Sequence, residues 1–167
     1  MSSPRTLILD NHSIVQKIKR IAYQIYEHNY NDSEIVFVAI ENKGIELAKR
    51  LQPELEAVSE LKVHNLSLAV DKKDPLSNIR LTGDDNVLKG KSVILIDDVL
   101  NSGKTLIYAA RHILGYDPKK LTTVVLVDRR HRLYPIKADF VGLTLSTTLQ
   151  DHIAVEFESQ NDKVYLE

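Results

Sequence analysis

Cysteine is absent from the 167 residues, which excludes disulfide staples, thiol nucleophiles and cysteine–zinc sites. Nor is there a surplus of either charge: 22 Lys and Arg stand against 23 Asp and Glu, for a net charge of −1. The chain therefore has no general attraction to nucleic acid, and any such contact must come from a local patch. No apolar run approaches a membrane span, and nothing near the N-terminus resembles a secretory signal. The expectation is a cytoplasmic protein with no membrane partner. Internal repeats, low-complexity tracts and linkers are also missing. The rest is ordinary for a globular protein, with 43% hydrophobic and 27% charged residues. A chain of this length makes one domain, 1–167, with a sizeable core.

Apolar periodicity divides the chain into alternating helices and strands. Ile14, Val15, Ile18, Ile21, Ala22, Ile25 and Tyr26 recur at helical spacing. They predict a helix from Asn11 to about His28, capped by Asp10, Asn11 or Ser13. Ile35–Ile40 is apolar on both faces and reads as a buried strand, followed by a helix from Gly44 to about Leu55. Leu61–Val70 is a more polar strand, nearer an edge. Residues 71–90 are rich in Asp, Lys, Pro, Gly and Asn and predict a mobile loop with room for a short hairpin. Loops of that length in compact domains often cover a site. Buried strands follow at 93–96 and Leu121–Val127, a helix at 104–114, and short strands at His152–Glu158 and Lys163–Leu166. The pattern specifies an α/β class, a parallel β-sheet flanked by helices.

The chemistry concentrates at residues 93–105, Val-Ile-Leu-Ile-Asp-Asp-Val-Leu-Asn-Ser-Gly-Lys-Thr. Four aliphatics end on Asp97 and Asp98, at the carboxyl end of a strand, where open α/β sheets place ligands. A Gly and two hydroxyls then open a helix, whose N–H groups and dipole favour an anion. Gly103-Lys104-Thr105 is not a nucleoside-triphosphate loop. That loop needs a glycine five residues before its Gly-Lys, and here the position is Asp98. A second strand-to-helix turn, Ile40-Glu41-Asn42-Lys43-Gly44, is either another anion site or a plain turn. The six histidines show no metal-ligand spacing.

The 93–105 segment resembles the phosphoribosyl pyrophosphate (PRPP) motif of the type I phosphoribosyltransferases. The resemblance implies that Asp97 and Asp98 grip the ribose hydroxyls, and that Asn101, Ser102, Gly103, Lys104 and Thr105 hold the 5′-phosphate. It places pyrophosphate on Glu41, Asn42, Lys43 and Gly44, and Mg²⁺ near Asp97 and Asp98, held mainly through PRPP. It makes about 1–12 and 129–150 a small hood over the base. Asp128, Arg129, Phe140 and Val141 would then contact the base, with Phe140 either a stacking ring or a core side chain.

Further segments, among them Arg20-Ile21-Ala22, Val127-Asp128-Arg129, Pro135-Ile136 and Gln160-Asn161-Asp162, occur in the order found in the pyrimidine-operon attenuation regulators, which are also uracil phosphoribosyltransferases. That resemblance covers nearly the whole chain. It implies uracil plus PRPP giving UMP and pyrophosphate, a homodimer or tetramer, and an mRNA leader met by Lys19, Arg20, Arg130 and Arg132. The chain departs from those regulators in three places. Residues 41–43 read Glu-Asn-Lys instead of Lys-Thr-Arg, the 71–90 loop is short, and Tyr23 replaces a histidine. Two alternatives stand beside this reading. One is a hypoxanthine–guanine salvage enzyme, although such enzymes carry a carboxylate where Asn101 stands, and an amide is no base. The other is a nucleotide-sensing RNA-binding regulator with little catalysis.

Overall fold

The computed structural model describes residues 4–167. Among these residues two sheets, three α-helices and one short 3-10 turn (Asp85–Val87) make up the fold. The larger sheet has the order β4-β3-β2-β5-β6-β7. Its strands are β2 (Glu34–Ile40), β3 (Lys62–Val70), β4 (Ile79–Thr82), β5 (Ser92–Leu100), β6 (Lys120–Asp128) and β7 (Phe140–Thr144). All neighbours are parallel except β3 and β4, which form the short hairpin expected in the 71–90 segment. The smaller sheet, β1-β9-β8, is antiparallel. It joins β1 (Thr6–Leu9), β8 (Ile153–Glu156) and β9 (Lys163–Leu166).

Helix α1 (Asn11–His28) starts where the Asp10 carboxylate accepts the Ser13 N–H at 2.8 Å. This is a side-chain cap of the usual kind. Its buried stripe of Ile14, Ile18, Ile21 and Ile25 packs with α2 (Lys43–Val58) on one face of the large sheet. Each of those isoleucines contributes about 1.5–3 kcal/mol by burial. Helix α3 (Lys104–Leu114) covers the other face with Leu106, Ala109 and Ile113. The sheet is thus covered on both sides, which is why β2 from Ile35 and β5 from Val93 to Ile96 are unbroken apolar runs.

Of the residues expected in the hood, 6–9 join the smaller sheet as β1, and 140–144 form β7, the edge strand of the large sheet. Gly142 shows why: a Cβ there would lie 2.4 Å from the Leu126 carbonyl oxygen. Only glycine lets β7 approach β6 so closely. Residues 1–3, the start of the expected hood segment, lie outside the described residues. No helix among the described residues is long and apolar enough to cross a membrane.

Candidate active site

At the carboxyl ends of β2 and β5 lies a cleft of about 870 Å³, large enough for a phosphorylated sugar with a base. Two helix starts face it. At α3, Gly103 has φ +87° and is buried, and a Cβ there would meet Ile136 Cγ2 at 2.8 Å. The Ser102 hydroxyl accepts the Lys104 N–H at 3.2 Å, and the Ile107 N–H returns to the Gly103 carbonyl at 2.9 Å. The N–H groups of Thr105 and Leu106, in the first turn, have no partner within the helix. The Ser102 carbonyl is held from outside by the N–H groups of Leu133 and Tyr134, at 2.8 and 3.1 Å. The result is a rigid ring of donors.

The second helix start is the turn before α2. Asn42 has φ 70° and ψ −108°, a strained conformation for a residue other than glycine, and its side chain caps nothing. Gly44 is buried against β5, with only room for hydrogen: a Cβ would stand 2.8 Å from the Ile96 carbonyl oxygen and 3.5 Å from Asp97 Cα. That close approach ties the first turn of α2 to the strand carrying the carboxylates. Glu41, Asn42 and Lys43 line the cleft.

Between the two helix starts stand Asp97 and Asp98. Strand β5 does not end at them but continues to Leu100. Burial, and then the adjacent Asp98 carboxylate, push the Asp97 carboxyl well above the usual carboxylate range. The Asp98 N–H, donated to Asp97 Oδ1 at 2.9 Å, and the charge of Lys72 pull the other way. A half-buried pair of like charges is costly in the free protein and is relieved by a cationic or hydroxyl-rich ligand. Among the described residues no group of three or more acidic or imidazole side chains converges on one point. The cleft thus offers a hard cation two carboxylates, and a bound diphosphate and water must complete its shell. That donor set fits Mg²⁺ arriving with a diphosphate.

The sequence brought Asp97, Asp98, Glu41–Gly44 and Asn101–Thr105 to the cleft; the structure places all of them on its wall except Gly44, which is buried against β5. The four residues expected at the base do not line this cleft. Phe140 pairs with Val124, four positions before the carboxyl end of β6 at Asp128. Its ring packs edge-on to His28, with centroids 5.7 Å apart, and against the core. Val141 packs on the α3 side of the sheet. Asp128 accepts the Arg130 N–H at 2.8 Å and Arg132 Nη2 at 3.0 Å, which shapes the turn after β6. Arg129 is buried and donates to Asn101, Thr147, Thr148 and Asp151.

Among the cleft residues that went unnoticed in the sequence are Lys72, Arg80 and Ile153. The two cations had a signal, since both lie in the segment predicted to cover a site. Ile153 had none, because an aliphatic at the start of a short strand carries no chemistry. It is the one cleft-lining residue from the smaller sheet. The basic residues considered for RNA are divided. Arg20 donates to the carbonyls of Val141 and Gly142 at 3.0 and 2.7 Å, and Arg132 is paired with Asp128. Lys19 and Arg130 are exposed and make no ion pair among the described residues.

Two helix starts flanking a carboxylate pair at the carboxyl ends of central parallel strands suit a phosphoribosyltransferase, and comparison with known proteins agrees. Residues 5–162 match the phosphoribosyl transferase domain. The chain belongs to this family and is a phosphoribosyltransferase of type I. It is 32% identical over 167 residues to the bifunctional protein PyrR of Macrococcus caseolyticus, covering 95% of each chain. It is 35% identical over 172 residues to the bifunctional protein PyrR of Limosilactobacillus fermentum, covering 96% of each. In fold it is similar to the hypoxanthine phosphoribosyltransferase of Trypanosoma cruzi, with a TM-score of 0.81 at 18% identity over 95% of each chain.

Proposed function

We propose that this protein transfers the phosphoribosyl group of PRPP to uracil. The observation that carries the proposal is the carboxylate pair Asp97/Asp98 set between the helix starts at 42–44 and 102–105. A ligand with a phosphate at one end and a diphosphate at the other spans both. Its ribose hydroxyls then lie over the acids. Ser102, Gly103, Lys104 and Thr105 take the 5′-phosphate. Asn42, Lys43 and the first amides of α2 take the diphosphate. Lys72 and Arg80 add positive charge on the loop side.

In the reaction the bond from C1′ to the pyrophosphate oxygen breaks and a bond from C1′ to N1 of uracil forms. Positive charge builds on the ribose ring, and Asp97 and Asp98 are placed to stabilise it. Asp97 and Asp98, together with PRPP, would hold Mg²⁺, which would supply positive charge to the leaving diphosphate. The choice of uracil rests on the resemblance to the pyrimidine-operon regulators, on relatives named bifunctional protein PyrR, and on Asn101, an amide unable to act as a base. Turnover with PRPP and each of uracil, hypoxanthine and guanine tests the proposal. UMP should form fastest, and faster formation of IMP overturns it.

A second, regulatory reading has one structural support. Tyr23, Tyr26 and Tyr30 are exposed along or just beyond the outer side of α1, near Lys19. Rings beside a cation suit unpaired RNA bases. Gel shifts with a pyrimidine-leader hairpin, with and without UMP, should show salt-sensitive binding that Tyr23→Ala plus Lys19→Ala weakens. Light scattering on the same samples reads whether the chain forms the dimer or tetramer that the resemblance implies.

A further inference from the structure

Arg129 and Asn101 form a pair that the proposed reaction has not yet used. Arg129 is buried, and its Nη1 donates to Asn101 Oδ1 at 2.9 Å. A guanidinium has only donors, so the atom of Asn101 that faces it must be the oxygen. The amide is therefore fixed in one of its two orientations, and the Nδ2 group is turned away from Arg129. Asn101 itself is exposed on the cleft wall, and Nδ2 has no partner among the described residues. The other arms of Arg129 hold Thr147 Oγ1 at 3.1 Å and the carbonyls of Thr148 and Asp151 at 3.2 and 2.5 Å. Two residues beyond Asp151 stands Ile153, the apolar wall from the smaller sheet. One buried cation thus sets both a donor and an apolar surface at the end of the cleft away from the 41–44 turn.

We infer that Arg129 is a positioning residue and Asn101 a specificity-determining one. Together they present N–H donors, and no acceptor, to the base. This rests on the phosphoribosyl-transfer reading above: with phosphate on 102–105 and diphosphate on 42–44, the base lies between Asn101 and Ile153. As N1 of uracil loses its proton, negative charge spreads onto the two carbonyl oxygens, and an amide N–H strengthens its bond to either. Asn101 cannot accept the proton, which goes to water in the open cleft. A base that must donate an N–H to the protein at this point finds no acceptor and is disfavoured. Hydrogen bonds to charged groups are worth enough to make the preference about tenfold or more.

The test is the ratio of kcat/KM for uracil to that for hypoxanthine, in wild type, Asn101→Asp, Arg129→Lys and Arg129→Met. Asn101→Asp should lower the ratio at least tenfold. Arg129→Met should lower it too, because the amide is then free to turn. Lysine also has only donors, so Arg129→Lys should keep the ratio within about threefold of wild type even where the melting temperature falls. A purely structural Arg129 would give equal ratios in all three arginine-position proteins, and that result overturns the inference. So does an unchanged ratio in Asn101→Asp. If wild type turns over neither base, relative affinities for UMP and IMP by calorimetry give the same comparison. Wild-type preference for hypoxanthine refutes the uracil reading instead, whatever the variants do.

Discussion

Gly44→Ala probes the contact on which the cleft geometry depends. The added Cβ would lie 2.8 Å from the Ile96 carbonyl oxygen, whereas ordinary contact begins at 3.4 Å. The obstacle is backbone in a central strand paired on both sides, so it cannot swing aside as a side chain would. The start of α2 must move outward by roughly half an ångström, and overpacking of this kind costs about 1–3 kcal/mol. Alanine's better helix propensity returns at most about 1 kcal/mol, and less in a first turn. The net expectation is a destabilisation of about 1–2 kcal/mol, seen as a lower urea midpoint at unchanged slope. The same shift moves the α2 amides away from Asp97. Weakening one bond to a charged diphosphate by about 1.4 kcal/mol lowers affinity tenfold. Calorimetry with Mg–PRPP measures that loss. Gly90→Ala is the control: no atom lies within 4 Å of its Cβ, its φ is +69°, and it is remote from the cleft lining, so stability should fall while PRPP affinity holds. Gly44→Ala with wild-type stability and PRPP affinity within twofold would refute the reasoning.

Other expectations follow from the same geometry. Asp97→Asn removes a carboxylate whose charged form is disfavoured by burial and by Asp98, while its oxygen still accepts the Asp98 N–H. The folded pKa is raised, so the penalty sets in as pH rises above the ordinary carboxylate value, levels off above the folded pKa, and is absent once both states are protonated. Asp97→Asn should therefore melt higher than wild type at neutral pH, with a gain that vanishes in acid, and should bind Mg–PRPP more weakly; a lower melting point at neutral pH contradicts this. Asn42→Gly should relieve the φ 70° conformation, worth about 1 kcal/mol, and raise the melting temperature by about 2–4 °C in a chain of this size. Glu34 is held at about 2, below its ordinary 4.5, by hydrogen bonds from His64 and Lys91. This lowered acid contributes stability above pH 4.5 that is lost as pH falls toward 2. Urea midpoints across that window should fall less steeply in Glu34→Gln, and parallel curves would show that the contact is inert.

The fold was legible where local chemistry and burial agree. Helix α1 falls on the predicted residues with its Asp10 cap, and β2, α3 and β9 lie within a residue of expectation. Glu41–Lys43, Asp97, Asp98 and Asn101–Thr105 were legible because charge and hydroxyls at strand ends have few other uses. Helix α2 runs past its expected end to Val58. Strand β1 was not foreseen, since four residues exposed at one end make no period, and it exists only because β9 pairs with it. Phe140 shows a harder limit. Its segment, Asp-Phe-Val-Gly, has the composition of a ligand loop, but its place is decided by distant groups. Asp139 accepts both the N–H and the hydroxyl of Thr123, at 2.8 and 3.1 Å, and Gly142 lies on the Leu126 carbonyl. Both contacts draw the segment onto β6 and turn the ring toward His28. The smaller sheet adds Ile153 to the cleft wall, a residue whose type says nothing. Its position depends on a sheet closed by strands from both ends of the chain. The Ile153 side of the cleft is thus the part least visible in sequence, because it is assembled by sheet register and by the contacts of the buried Arg129, whereas an anion-binding helix start needs only a short turn and the first amides of a helix.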